Sequence, residues 1–310
     1  MDIALNTDIV TSGGSPEPWM RLISEAGFTH LHWCHQWNTD VLYSRYEIAQ
    51  YKQWLKQYGL QLLDIHGSAG MEKCWWATEE YRRRSGVELV INRIEMFAEM
   101  GGSGALMMHA PAIRAGMAQE AIGDARQNHE ALRKSFDELM PVLEKYQICI
   151  AIENTSNDTF ELITDFLDCY PAEYCGITYD SGHGNIDQAR GLELLEPVKD
   201  RLQALHLNDN DTSGDLHQPP FMGTVDWDTM AQIIATSSYT NRPLSFELAM
   251  RNTPFYNHEL KVSQPEEKMR EFLNDTYQRC QKVVHLVEEK RKSPVAFDPQ
   301  ITQMDAGGRD

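Results

Sequence analysis

The chain has no apolar run near the length of about 20 residues that a helix needs to cross a bilayer. A helical membrane protein is therefore excluded, and no membrane partner is expected. Its first residues, Met1-Asp2-Ile3-Ala4-Leu5, place no basic stretch ahead of an apolar one. No export signal is visible there, and a cytoplasmic location is expected. Cysteine is scarce. The six, at positions 34, 74, 149, 169, 175 and 280, form no Cys-x-x-Cys pair. That excludes a disulfide scaffold and points to reduced thiols. Basic charge is also scarce, with 28 Lys and Arg against 46 Asp and Glu, a net charge of −18. Such a balance disfavours a general polyanion binder, so nucleic acid is not an expected partner. The glycine-bearing turn Thr11-Ser12-Gly13-Gly14-Ser15 lacks the G-x-G-x-x-G pattern of a dinucleotide fold.

What is present is alternation. Short apolar, β-prone runs occur at Asp2–Asn6, Thr29–Trp33, Gln61–Ile65, Ala105–His109, Ile148–Glu153, Tyr174–Tyr179, Gln203–Leu207 and Leu244–Leu248. Continuous runs such as Ile148-Cys149-Ile150-Ala151-Ile152 suit parallel strands covered on both faces. Between them the pattern predicts helices over Pro16–Ala26, Tyr43–Tyr58, Val87–Met100, Asp124–Tyr146, Thr159–Cys169, Gly191–Arg201, Asp226–Thr236 and Glu266–Lys292. Pro141 predicts a kink in the fourth. In the last, Met269, Phe272, Leu273, Tyr277, Cys280, Val284 and Val287 form a stripe suited to packing on a barrel. Eight strand–helix units in 310 residues predict a single α/β domain, a (β/α)₈ TIM barrel over residues 1–292. Residues 293–310 read as a C-terminal tail or surface extension.

Two long loops break the rhythm after strands three and eight. Gly67–Gly86 holds Trp75, Trp76 and Arg82-Arg83-Arg84, whose plainest reading is a solvated helix start. Ala249–Pro265 holds Arg251, Phe255, Tyr256 and His258. Both fall at the C-terminal ends of strands, where barrel active sites form. Either is a candidate lid or oligomer contact, which leaves a homo-oligomer open. Trp75 and Trp76 are candidates for stacking on a ligand face, with plain packing as the alternative. Trp33, His35 and Trp37 reach the same face after strand two.

Ionisable residues stand at the ends of six consecutive strands: His66, His109, Glu153, Asp180, His206 and Glu247. Burying one such group is costly unless it is paired or bound to a metal. Six at one end of a barrel converge on its mouth. Glu153, Asp180, His206 and Glu247 offer three carboxylates and an imidazole. That donor set suits a divalent ion, with Mn²⁺ the first choice and Mg²⁺, Co²⁺ or Zn²⁺ as others. A metal holding a carbonyl and its neighbouring hydroxyl would acidify the C–H between them and stabilise an enediolate. One carboxylate then removes the proton, and a second returns it.

Several runs resemble the xylose-isomerase-like TIM barrels, the sugar phosphate isomerase/epimerase family. They are Ile150-Ala151-Ile152-Glu153-Asn154-Thr155, Tyr179-Asp180-Ser181-Gly182-His183 with its D-x-x-H pair, His206-Leu207-Asn208-Asp209, and Asp215-Leu216-His217 with Pro219 and Gly223-Thr224-Val225-Asp226-Trp227. The resemblance spans strands three to eight. It implies a metal held by Glu153, Asp180, His206 and Glu247, with Glu153 and Glu247 as the acid/base pair. It implies a substrate oxygen on His183, and His66, His109, Asp215, His217, Trp75, Trp76 and Arg251 are the other substrate-binding candidates. The implied activity is isomerisation or epimerisation of a sugar, keto-sugar or cyclitol. Dehydration of a keto-cyclitol begins with the same proton abstraction and stays open.

The family also includes zinc-dependent apurinic endonucleases with a trinuclear site. Residue types matching their nine ligands occur here in order: His66, His109, Glu153, Asp180, His183, His206, Asp215, His217 and Glu247. Against that alternative, Cys34-His35-Gln36-Trp37-Asn38-Thr39-Asp40 offers no Lys or Arg for phosphate. Asn208-Asp209-Asn210-Asp211-Thr212 lacks the arginine that some ketose epimerases carry there, and no phosphate-binding Gly-rich loop is evident around strands seven and eight. Both features favour an unphosphorylated sugar, cyclitol or related polyol.

Overall fold

A computed structural model describes residues 1–68, 70–186 and 190–292. The eight apolar runs become strands β1 (Ile3–Asn6), β2 (His30–Trp33), β3 (Gln61–His66), β4 (Leu106–Met108), β5 (Ile150–Glu153), β6 (Cys175–Asp180), β7 (Leu202–His206) and β8 (Leu244–Phe246). They form one parallel sheet in the order β7-β6-β5-β4-β3-β2-β1-β8. Its two ends meet in a parallel bridge between Leu207 and Phe246. There Leu207 N–H donates to Ser245 O (3.0 Å) and Glu247 N–H to Leu207 O (3.2 Å). The sheet is thus a (β/α)₈ barrel.

The helices are α1 (Glu17–Glu25), α2 (Arg45–Tyr58), α3 (Glu80–Met100), α4 (Gln119–Tyr146), α5 (Glu161–Cys169), α6 (Ser181–Asn185), α7 (Gly191–Leu195), α8 (Trp227–Thr236) and α9 (Glu266–Lys292). Local chemistry sets several ends. Ser44 and Glu47 close a capping box on α2, and Gly59 ends it in the left-handed region at φ 64°. The expected Gly191–Arg201 helix divides into α7 and a 3₁₀ stretch, Glu196–Arg201, with Pro197 near the division. Helix α4 runs on past Pro141, whose missing N–H leaves one bond out of its ladder. None of the helices is long and apolar enough to cross a membrane, among the described residues. The proposed tail, 293–310, lies outside those residues.

Helix α3 begins seven residues before the expected Val87. Its first turns are polar, yet Arg83 is buried. The Arg83 guanidinium donates to Glu80 Oε2 and Oε1 (both 2.8 Å), Glu138 Oε1 (2.5 Å) and Ser135 Oγ (2.9 Å). The reading of Arg82-Arg83-Arg84 as solvated is corrected at Arg83, which ties α3 to α4. Gly86 lets the α3 backbone lie against the Cys74–Trp75 backbone, where a Cβ would overlap the Trp75 nitrogen. Gly86→Ala is therefore expected to cost about 1–3 kcal/mol, read as a fall in the denaturant midpoint. An unchanged midpoint would show that this contact is not close in solution.

The main core lies between sheet and helices. It is built by Leu5, Leu31, Ile65, Leu106, Ile150, Ile152, Ile177 and Phe246 together with Ile94, Phe136, Phe166 and Phe272. The alternate residues line the bore. Low in the bore, Ala105, Ala151 and Ala204 form a small cluster of their own. These alanines leave room for the polar layer above.

Candidate functional site

The strand period carries that polar layer to the barrel mouth. On β5, Ile150 and Ile152 face the helices, so Ala151 and Glu153 face inward. On β6, Asp180 is the register partner of His206 on β7. Glu247 follows Phe246, the last residue of β8. One ligand atom from each of Glu153, Asp180, His206 and Glu247 lies within 4.8 Å of the others, and all four residues are buried. His206 Nδ1 is 2.6 Å from Glu153 Oε1 and 2.9 Å from Glu247 Oε2. Burial alone would raise both glutamates. The facing His206 outweighs it, helped by His109 at Glu153 and His217 at Glu247, so both carboxyls lie well below their ordinary range.

Asp180 is held rigidly. Its Oδ2 accepts from Asn208 Nδ2 (2.8 Å) and its Oδ1 from the His183 N–H (2.7 Å). Asn154 pins the backbone, accepting from Asp180 N–H (2.7 Å) and donating to Asp180 O (3.0 Å). Burial, reinforced by Glu153 against the pull of His183, pushes the Asp180 carboxyl up to about 6. Three buried carboxylates around one imidazole leave negative charge in excess. Such a set is stabilised by a bound cation.

The other histidines extend the cluster on both sides. His109 Nε2 stands 2.6 Å from Glu153 Oε2 but off a hydrogen-bonding line. His66, His109 and Glu153 form a second group of metal-binding size. Burial, with His109 beside it, lowers His66 to about 3, so its ring is neutral. His183, Asp215 and His217 form a third group. Asp215 is 3.3 Å from His183 Nε2 and 3.0 Å from His217 Nε2. Against the effect of burial, Asp215 and Glu247 raise His217 to about 10. His217 holds a left-handed backbone at φ 48°, while its carbonyl accepts from Ala249 N–H (2.8 Å).

The inserts contribute less directly. Trp75 is 1% exposed and its indole N–H donates to His109 O (3.1 Å). It touches the site through the His109 backbone. Trp76 packs half-buried on the core, and Arg251 is exposed on the turn Met250–Asn252. His35 is taken up by Tyr43 Oη and Gly14 O, both 2.7 Å from its ring nitrogens. Trp37 leans over His66 (centroids 4.5 Å apart) and His109 (5.5 Å) and walls that side of the mouth.

Three further residues belong to the site. Cys34 Sγ reaches Glu247 Oε1 at 3.6 Å, and burial pushes its thiol well up, so it is a donor. Asp8, at the end of β1, also faces Glu247, and burial of its carboxyl with that facing charge pushes it up to about 6. His32, on β2, is wholly buried beside His206, and neither ring nitrogen has a hydrogen-bond partner. Each unmet buried nitrogen costs about 1–3 kcal/mol. The alternation His30-Leu31-His32 inside a buried strand was the available signal for the last.

A closed parallel barrel with acidic and imidazole groups gathered at its C-terminal mouth has the arrangement of a TIM barrel that carries its site at that face. The chain belongs to the xylose isomerase-like TIM barrel family, whose model matches residues 20–274. An uncharacterised protein, y4fM, of Sinorhizobium fredii is 29% identical over 251 residues, 74% of this chain and 79% of its own. Among solved structures, a D-tagatose 3-epimerase-like protein superposes with a TM-score of 0.69 at 15% identity, covering 94% of this chain and 99% of that one. An L-ribulose 3-epimerase gives 0.69 at 13%, covering 96% and 99%. The 3-keto-D-glucoside 4-epimerase YcjR of E. coli gives 0.62 at 18%, covering 90% and 99%. At these identities the likeness is one of fold.

Proposed function

We propose that the protein is a divalent-metal-dependent isomerase or epimerase acting on a small unphosphorylated sugar, keto-sugar or cyclitol. The observation that carries this is the convergence of Glu153, Asp180, His206 and Glu247 from four strands to within 4.8 Å. The fold neighbours that are named as epimerases agree with it. The four side chains fit a cation, Mn²⁺ by preference, because their buried negative charge needs one and Asn154 and Asn208 already fix the Asp180 ligand. When bound, the ion supplies Lewis acidity to a substrate carbonyl and so acidifies the neighbouring C–H.

The chain's own groups then move the proton. Glu153 and Glu247 reach the site from β5 and from the end of β8, and both approach His206 Nδ1. One takes the proton from carbon and the other returns it. His183 is aimed by its Nδ1–H, which donates to Asn154 O (2.9 Å), leaving Nε2 for a substrate oxygen at the place Asp215 now occupies. Trp37 and the buried Trp75 wall the His66–His109 side. A keto-cyclitol dehydratase would use the same first step.

A second reading is favoured by one observation. The nine expected ligands fall into three groups of metal-binding size, two of which share Glu153. That suits a trinuclear phosphodiesterase of the apurinic endonuclease kind. Its phosphate contacts are poorly supplied, since Arg82 is turned to Glu72 and Glu79 and Arg83 is buried. Metal analysis of freshly purified protein separates the two. One ion per chain, with solvent deuterium entering a ketose, is expected. Three zinc ions with cleavage of abasic DNA would replace the sugar assignment by the phosphodiesterase.

A further inference from the structure

The floor of the site holds a histidine with no role in the chemistry above. The His32 ring meets His206 edge to face, with centroids 4.4 Å apart at 67°. An atom from each of His32, His206 and Glu247 lies within 4.8 Å of the others. His206 commits Nδ1 to the carboxylate side, while its Nε2 is buried without a partner. Two touching imidazoles, sealed from solvent, therefore each hold unmet nitrogen. The neighbours that would compete for His32 are engaged elsewhere. Asn6, its register partner on β1, donates to Asp8 Oδ1 (2.7 Å) and Leu248 O (3.0 Å) and accepts from Leu248 N–H (2.7 Å). The His66 ring, 6.3 Å away, has Nδ1 on Gly67 O at 2.8 Å.

A histidine that binds a metal through one nitrogen carries a proton on the other and hands it to an acceptor. We propose that His32 is that acceptor: a positioning residue that takes the Nε2–H of His206 and so fixes the tautomer and tilt that turn Nδ1 toward the cation. This rests on the cation site proposed above. Both His32 ring nitrogens lack a partner, and a neutral imidazole offers a lone pair on one of them for the task. The role asks for no solvent access and no change in the ligand set.

The test is a calorimetric titration of Mn²⁺ into metal-stripped full-length protein, comparing the unaltered chain with His32→Leu and His32→Asn. His32→Leu removes the acceptor at similar bulk, and a loss of affinity of about 10- to 100-fold is expected. His32→Asn restores a carbonyl acceptor and should recover most of that loss. Its Co²⁺ absorption bands should match those of the unaltered protein. The stripped His32→Leu protein should melt no lower than the unaltered one, because leucine removes two unmet nitrogens. Affinity unchanged in His32→Leu overturns the role, as does His32→Asn binding no better than His32→Leu. Altered Co²⁺ bands would make His32 a ligand, and a lower melting temperature would make it a packing residue; either overturns the role. If the unaltered chain binds no ion, the cation site fails and the role of His32 fails with it, whereas tight binding unaffected by His32→Leu removes only the role.

Discussion

Glu153→Gln is expected to lower solvent deuterium exchange into a ketose by about 10²- to 10⁴-fold. The substitution keeps the shape of the side chain and removes the charge that faces His206 Nδ1 at 2.6 Å. His206 and His109 hold this carboxyl ionised against burial, which is the state a proton acceptor needs. Glu247→Gln should act as strongly, because Glu247 faces the same nitrogen from β8 at 2.9 Å. If each glutamate serves one side of the substrate carbon, each variant spares exchange from one epimer and abolishes it from the other. Proton NMR in D₂O on both epimers of a ketose panel reads this directly, with ion content measured on the same samples. Full exchange in both variants would remove the two glutamates from proton transfer.

Asp209→Ala is expected to destabilise the fold by about 3–5 kcal/mol. Asp209 is wholly buried just after β7. Its Oδ1 accepts from the N–H groups of Asn210 (2.9 Å) and Val225 (3.1 Å), and its Oδ2 from Trp227 Nε1 (3.0 Å). Its backbone pairs with Gln218 in both directions, at 2.8 and 2.9 Å. Alanine leaves three donors unmet at the root of the loop that carries Asp215 and His217. Urea melts should show the loss, and Asp209→Asn should show less because it keeps an acceptor oxygen. A loss under about 1 kcal/mol in the alanine variant would mean that the loop finds other partners.

The barrel was legible because its strands are covered on both faces. Ile148-Cys149-Ile150-Ala151-Ile152 has no polar residue to confuse the pattern, and the ionisable residue that ends such a run stands out. That is why Glu153, Asp180, His206 and Glu247 could be picked from spacing and type, and the structure brings them together. The start of α3 was not legible, because Glu80–Ser85 is polar and Gly86 looks like a stop. Only the packing of Arg83 and the close approach of Gly86 to Trp75 explain a helix there. Trp75 suggested a stacking platform, but whether an aromatic side chain faces a ligand or the core depends on a neighbouring helix that sequence spacing does not reveal. His32, Cys34 and Asp8 escaped notice because their meaning is relational. Each matters through a contact or a facing charge at His206 or Glu247, over sequence gaps of 174 residues or more.

The closure between β7 and β8 has a mechanical consequence. It rests on the Leu207–Phe246 bridge, and the strands on its two sides supply His206 and Glu247. An ion gripped by both would rivet this seam, so loading the metal would also tighten the hoop. Amide protons of Leu207 and Glu247 would then exchange with solvent more slowly in the loaded protein than in the stripped one. The slowing should fade toward β3, on the far wall.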